Sequence, residues 1–155
     1  MGSARPYCGL RLAAYRPRAN RARCGVNVVR TTIHVCTTCR LGDEPLEPKH
    51  ARSGARLYRE LSARANNEDF ELIPVECLSV CKRPVTIGFS APGKWSYIYG
   101  DFPPESSAET ILAAAQLYAD APDGLIPWCD RPAEIKRGVI ARIPPAFPHL
   151  CEAAE

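Results

Sequence analysis

The chain has 155 residues, a formal net charge of +3 and 46% hydrophobic residues. That is enough to build one domain around a real core without covalent staples, and no uninterrupted apolar run is long enough to cross a bilayer. The charge is uneven: residues 1–42 hold eight arginines and no Asp or Glu, whereas residues 43–155 hold 12 Lys or Arg against 17 acids, a net of −5. A basic head therefore precedes a mildly acidic body.

The head, "MGSARPYCGLRLAAYRPRANRARCG", has no secretory apolar core, because Arg11 interrupts "CGLRLAAY". It is too poor in Ser and too rich in Pro for a transit peptide. Residues 1–27 are expected to be a basic, disordered extension. An arginine arm for nucleic-acid phosphates is the lesser reading, so no nucleic-acid partner is expected. Another alternative is read-through from an early start, with the native protein beginning near Val28. Without an export signal the expected compartment is the reducing cytoplasm, with no membrane association. There, eight cysteines point to metal or redox chemistry rather than to a disulfide scaffold.

"VVRTTIHV", residues 28–35, alternates and is β-branched, which predicts a strand. "RLGDEPLEPKH" reads as a loop, with Gly42, Pro45 and Pro48 blocking regular structure. Residues 51–66 predict a helix with Ala51, Ala55, Tyr58, Leu61 and Ala65 near one face, ended by Asn66 and Asn67. "FELIPVECL" predicts a second strand over 70–76, with Pro74 marking it as short or peripheral. "VTIGFS" and "KWSYIYGDF", joined by "APG", predict an antiparallel hairpin in which Trp95, Tyr97 and Tyr99 share a face. Ser106 and Glu109 have capping-box spacing before an amphipathic helix that Pro122 and Gly124 terminate.

Residues 125–155 read as a proline-rich tail packed on the domain, with a short turn near Ala133–Arg137. The order β-α-β-β-β-α over residues 28–124 predicts an α/β domain with a small mixed sheet and helices packed on it.

Four cysteines stand directly behind two predicted strands: Cys36 and Cys39 in "VCTTCR", Cys77 and Cys81 in "ECLSVCKRP". A helical crossover makes those two strands parallel, so both pairs emerge at one sheet edge although 37 residues separate Cys39 from Cys77. A sixteen-residue helix, about 24 Å long, suffices for the return. The carboxyl edge of an open α/β sheet is also where ligands usually bind.

Four thiolates suit zinc or an iron–sulfur cluster. The spacing C-x2-C…C-x3-C is neither a plant-type nor a bacterial ferredoxin run. It also departs from the paired tight knuckles of a zinc ribbon. A binuclear cluster, with two thiolates per iron, accommodates unequal loops more readily than one tetrahedral ion. Thiol–disulfide exchange is the remaining reading of a C-x2-C motif, but Gly42, Pro45 and Pro48 postpone the helix whose N-terminus would activate the thiol.

The segments "VCTTCR", "ECLSVCKRPVTIGF", "YGDF" and "GLIPWCDRPAEIKRGVIARIPP" resemble a bacterial family of small predicted metal-binding proteins related to thioredoxin-like 2Fe–2S ferredoxins. The resemblance runs from about Val28 to Pro145 and excludes the basic head. It implies a thioredoxin-like fold and a 2Fe–2S cluster held by Cys36, Cys39, Cys77 and Cys81. It also implies Pro84 at the position of the fold's cis-proline, and a link to cobalamin synthesis. The first pair is tighter here than in better-known members of that ferredoxin group.

The expected role is electron transfer or metal handling with a redox partner protein, rather than independent catalysis. No nucleophile elbow, zinc-protease motif, glycine-rich phosphate loop or carboxylate pair is present. The alternatives are a zinc-binding structural module and a thiol oxidoreductase. A homodimer is compatible with the sequence.

Arg40, Lys82 and Arg83 flank the thiols, either as cations favouring a reduced cluster or as solvated side chains. His34 is expected to be a strand residue rather than a ligand, and His50 has no partner in a Rieske-type pattern. Cys8, Cys24, Cys129 and Cys151 have no partner at ligand spacing and are expected to be incidental.

Overall fold

A computed structural model of the chain describes residues 30–65 and 70–145. The basic head, with Cys8 and Cys24, lies outside them, as do Asn66, Asn67 and Cys151. The first strand, β1 (Thr31–Cys36), buries Thr31, Ile33 and Val35 and leaves Thr32 and His34 half-buried. That is the two-residue alternation its β-branched sequence predicts.

After a single 3-10 turn at Lys49–Ala51 comes α1 (Ser53–Arg64), then β2 (Phe70–Val75), parallel to β1 with Cys36 opposite Val75. The chain turns back through β3 (Ile87–Ser90) and β4 (Ser96–Tyr99), an antiparallel hairpin whose turn uses Gly93 at φ 73°. The long helix α2 (Ala108–Asp120) follows, then a 3-10 turn at Trp128–Asp130, α3 (Ala133–Gly138) and β5 (Val139–Ile143).

The strands lie in the order β2-β1-β3-β4-β5. β1 and β2 are parallel and every other pairing is antiparallel. A parallel βαβ unit with an antiparallel hairpin and a helix added at its inner strand is the thioredoxin-like arrangement. The fold class read from the sequence is therefore the observed one.

One sheet face makes the core. Ile33, Val35, Ile87, Phe89, Tyr97 and Tyr99 are 0–1% exposed and lie under α1 and α2, which touch each other and β1. The rings of Tyr97 and Tyr99 stack at 5.4 Å, and Tyr118 of α2 meets Phe89 at 5.7 Å. Each such aromatic contact adds about 0.5–1.5 kcal/mol beyond the area it buries. The shared face predicted for Tyr97 and Tyr99 is thus a core face. Pro74, which has no amide proton, sits in β2 at the sheet edge, where no ladder bond is lost.

Five details differ from the sequence reading. The segment read as a packed tail supplies a fifth strand: β5 pairs with β4 across an irregularity at Ile98/Tyr99. Its five residues are hidden in a proline-rich composition, and their register depends on a distant contact, Gly100 N–H to Gly138 O at 2.9 Å.

Helix α1 buries Ser53, Gly54, Leu57 and Leu61, a face rotated from the Ala55–Tyr58 stripe. The cause is that its first turn must sit on the end of β1. The capping box does not form: the residue before α2 is Ser107, and it makes no side-chain cap bond. Arg83–Pro84 is not a cis bond; cis bonds lie at Pro84–Val85 and Glu47–Pro48. Finally, of the three cations expected beside the thiols, only Arg40 lines the cavity that the four cysteines share.

Candidate metal centre

The parallel ladder of β1 and β2 does not stop at their last residues. Thr37 N–H donates to Val75 O at 2.8 Å, Thr37 Oγ1 to the same oxygen at 3.2 Å, and Thr38 Oγ1 to Glu76 O. These bonds lock the loop carrying Cys36 and Cys39 alongside the start of the loop carrying Cys77 and Cys81. On the other side, Cys36 N–H reaches Thr86 O at 3.0 Å. All four cysteines consequently line one cavity of about 350 Å³ at the carboxyl edge of β1 and β2, as the predicted topology requires.

Burial divides the four thiols. Cys36 and Cys39 form the floor, 3% and 7% exposed, while Cys77 and Cys81 are exposed at the mouth. None of the five described cysteines is in a disulfide. At the mouth, Ser79 N–H donates to Cys77 Sγ at 3.2 Å, in a tight turn where Ser79 adopts φ 59°. On the floor, Cys39 Sγ lies 3.8 Å from Thr86 Oγ1.

Cys36 and Cys39 behave as a pair. A hydrogen bond from the Cys39 thiol holds Cys36 well below the ordinary thiol range, against the opposing effect of burial and with help from the Leu78 amide. The same bond and burial push Cys39 up.

A second layer fixes this loop. The Glu44 carboxylate accepts from Ser53 Oγ at 2.6 Å, Ser53 N at 3.0 Å and Leu41 N at 3.3 Å, and it pairs with Arg56 at 2.9 Å. Burial alone would raise its pKa; the Ser53 hydroxyl and amide, the Leu41 amide and Arg56 outweigh that and bring it down to about 2. Gly54 completes the joint. Its N–H donates to Cys39 O at 3.0 Å, and a Cβ there would stand 2.0 Å from Cys36 O, so only glycine lets α1 approach this closely.

Charge around the cavity differs from the sequence reading. Arg40 and Arg52 line it, but Arg83 is committed elsewhere. Its guanidinium binds Asp101 Oδ2 at 2.7 Å, Arg137 O at 2.9 Å and Val139 O at 3.1 Å, tying the second cysteine loop to α3 and β5. Lys82 is not among the lining residues. Sequence reasoning missed Arg52, Glu44 and Gly54. Only Gly54 left a signal, since a glycine inside a helix costs about 1 kcal/mol and so marks a close approach.

Among the described residues, no three His, Cys, Asp or Glu side chains stand close enough together to hold one metal ion. The four thiols share a cavity without forming a single tetrahedron. His34 is a strand residue, with Nε2 2.9 Å from Ser90 Oγ, and His50 lies in the 3-10 turn. Cys129 is exposed and outside the cavity. Among the described residues no helix is long and apolar enough to cross a membrane.

No curated protein matches the chain. Two solved chains of a thioredoxin-like [2Fe-2S] ferredoxin from Aquifex aeolicus are similar in structure. One has 15% identity and a TM-score of 0.47, covering 77% of this chain and 98% of that one. The other, the wild type at 1.5 Å, has 14% identity and a TM-score of 0.46, covering 73% and 98%. Residues 33–145, nearly all of the described domain and both cysteine pairs, match the model of the family described as "Protein of unknown function (DUF1636)", and the chain belongs to that family.

Proposed function

We propose that the protein binds one 2Fe–2S cluster through Cys36, Cys39, Cys77 and Cys81 and serves in electron transfer or metal handling. The observation that carries this reading is the meeting of four free cysteines, from two loops far apart in sequence, on the wall of one cavity. The donor set suits such a cluster, which takes four thiolates as two pairs, and the sequence supplies two pairs. When bound, the cluster would supply one-electron redox chemistry.

The chain's own residues would do the rest. Cys36 and Cys39 present sulfur from a buried floor. The Ser79 and Leu78 amides point at cysteine sulfur, and such hydrogen bonds tune sulfur ligands. The exposed Cys77 and Cys81 leave the mouth open to a redox partner, to which any substrate chemistry would belong.

Two other readings carry less. A zinc module would gather the same four thiols around one ion, but the unequal C-x2-C and C-x3-C loops suit two thiolates on each of two irons better than one tetrahedral ion. Thiol–disulfide exchange has one feature in its favour, the contact between the two floor thiols that draws Cys36 down and pushes Cys39 up. However, a nucleophilic thiol must be reachable, whereas Cys36 is 3% exposed. The helix that would activate it starts only at Ser53.

The test is cluster loading under anaerobic conditions, read by visible absorbance. Cys77→Ser and Cys81→Ser are expected to abolish it and Cys129→Ser to leave it intact. Equal losses in all three variants would undo the site.

A further inference from the structure

The cavity's electrostatics run against those of the domain around it. Residues 43–155 carry a net −5, yet among the described residues the lining includes two arginines, Arg40 and Arg52, and no Asp or Glu. Arg52 is the more informative, because its side chain is only 11% exposed. Its Nε donates to Leu46 O at 2.8 Å, and Arg40 Nη1 donates to Glu44 O at 2.6 Å. Both main partners are backbone carbonyls, which satisfy N–H groups but bring no full charge.

The nearby carboxylates do not cancel these cations. Glu47 stands 3.9 Å from Arg52 and is 68% exposed, and such a loose surface pair contributes little. The Glu44 carboxylate is spent on Ser53, Leu41 and Arg56. A buried cation without a close counter-ion is costly unless an anion completes the site. Among the described residues, the only lining groups able to carry that charge are the thiols and whatever they hold.

We propose that Arg40 and Arg52 make the four-cysteine cavity an anion-accepting site, in which Arg52 holds a negatively charged occupant against the thiols and favours its more reduced, more negative form. Arg52 is thus a positioning residue. This deepens the proposed function at the same cavity, and its electrostatic half can be tested without any cluster.

The experiment uses the full chain, first stripped of bound metal by chelation and kept reduced. Alkylation of Cys77 and Cys81 by anionic iodoacetate and by neutral iodoacetamide is followed by mass spectrometry. The ratio of the two rates cancels the thiolate fraction and reports the local field. Cys129, exposed and outside the cavity, is the internal control.

At low salt the iodoacetate-to-iodoacetamide ratio should be about threefold to fivefold higher at Cys77 and Cys81 than at Cys129. High salt should collapse that excess in the native protein. Arg52→Gln should remove much of it, and Arg52→Lys should restore it. Equal ratios at all three cysteines in the native protein, or an excess indifferent to salt, would overturn the proposal even if no variant folds.

In iron–sulfide-loaded protein, Arg52→Gln should lower the midpoint potential. An unchanged potential would overturn the redox half while leaving the cluster assignment standing. A field at the thiols in a chain that never loads a cluster would sink the assignment and spare the anion site.

Discussion

Glu44→Gln removes the charge beneath the first cysteine loop while keeping an oxygen to accept hydrogen bonds. In the folded protein the carboxyl is drawn down from its ordinary 4.5 to about 2. One pKa unit is worth about 1.4 kcal/mol, so the full shift corresponds to about 3 kcal/mol. The Glu44 side chain is 20% exposed and Arg56 35% exposed; solvent screening reduces the expected contribution to about 2 kcal/mol.

The sign follows from linkage: a depressed folded pKa gives stability that is present above the unfolded value and lost as pH falls through the folded one. Urea unfolding of wild type and variant should therefore differ by about 2 kcal/mol at pH 7, and the difference should shrink between about pH 4.5 and pH 2. Urea is preferred to guanidinium because it leaves the ion pair unscreened. A difference that stays constant with pH, or none at pH 7, would refute the role given to this carboxylate.

Two further perturbations probe the joints of the site. Gly54→Ala places a methyl 2.0 Å from Cys36 O, so α1 must move off β1; a loss of about 3 kcal/mol is expected in thermal or urea unfolding, and an unchanged midpoint would contradict the close approach. Arg83→Ala cuts the ties to Asp101, Arg137 O and Val139 O. It should cost about 1–2 kcal/mol and speed deuterium uptake in residues 77–83 and 137–140 together. Faster uptake in neither segment would mean that the guanidinium does not join them.

How far the sequence reveals this site depends on which residues are positioned by chain order alone. Cys36 and Cys77 follow strands whose parallel pairing is forced by the intervening helix, so their meeting at one edge is legible from the pattern of elements. The hairpin is legible for the same reason, because "APG" sets its turn between two β-rich runs.

Arg52 is different. It enters the cavity only because α1 begins one residue later and Gly54 lets that helix descend onto Cys36. Arg83 looks like a cation beside Cys81 in sequence, but Asp101 and the α3–β5 backbone draw it away, and those partners lie 18 to 56 residues on. β5 is lost to sequence reading because its pairing with β4 is entirely non-local, and five residues between Gly138 and Pro144 show too little alternation to declare a strand.

Anaerobic iron and acid-labile sulfide analysis, combined with EPR of the reduced protein, bears most directly on the central claim. The account predicts about two iron and two sulfide per chain, with a reduced-state signal that disappears in Cys77→Ser. Stoichiometric zinc without iron, or full-length protein that takes up neither iron nor sulfide while its four cavity cysteines remain reduced, would contradict it.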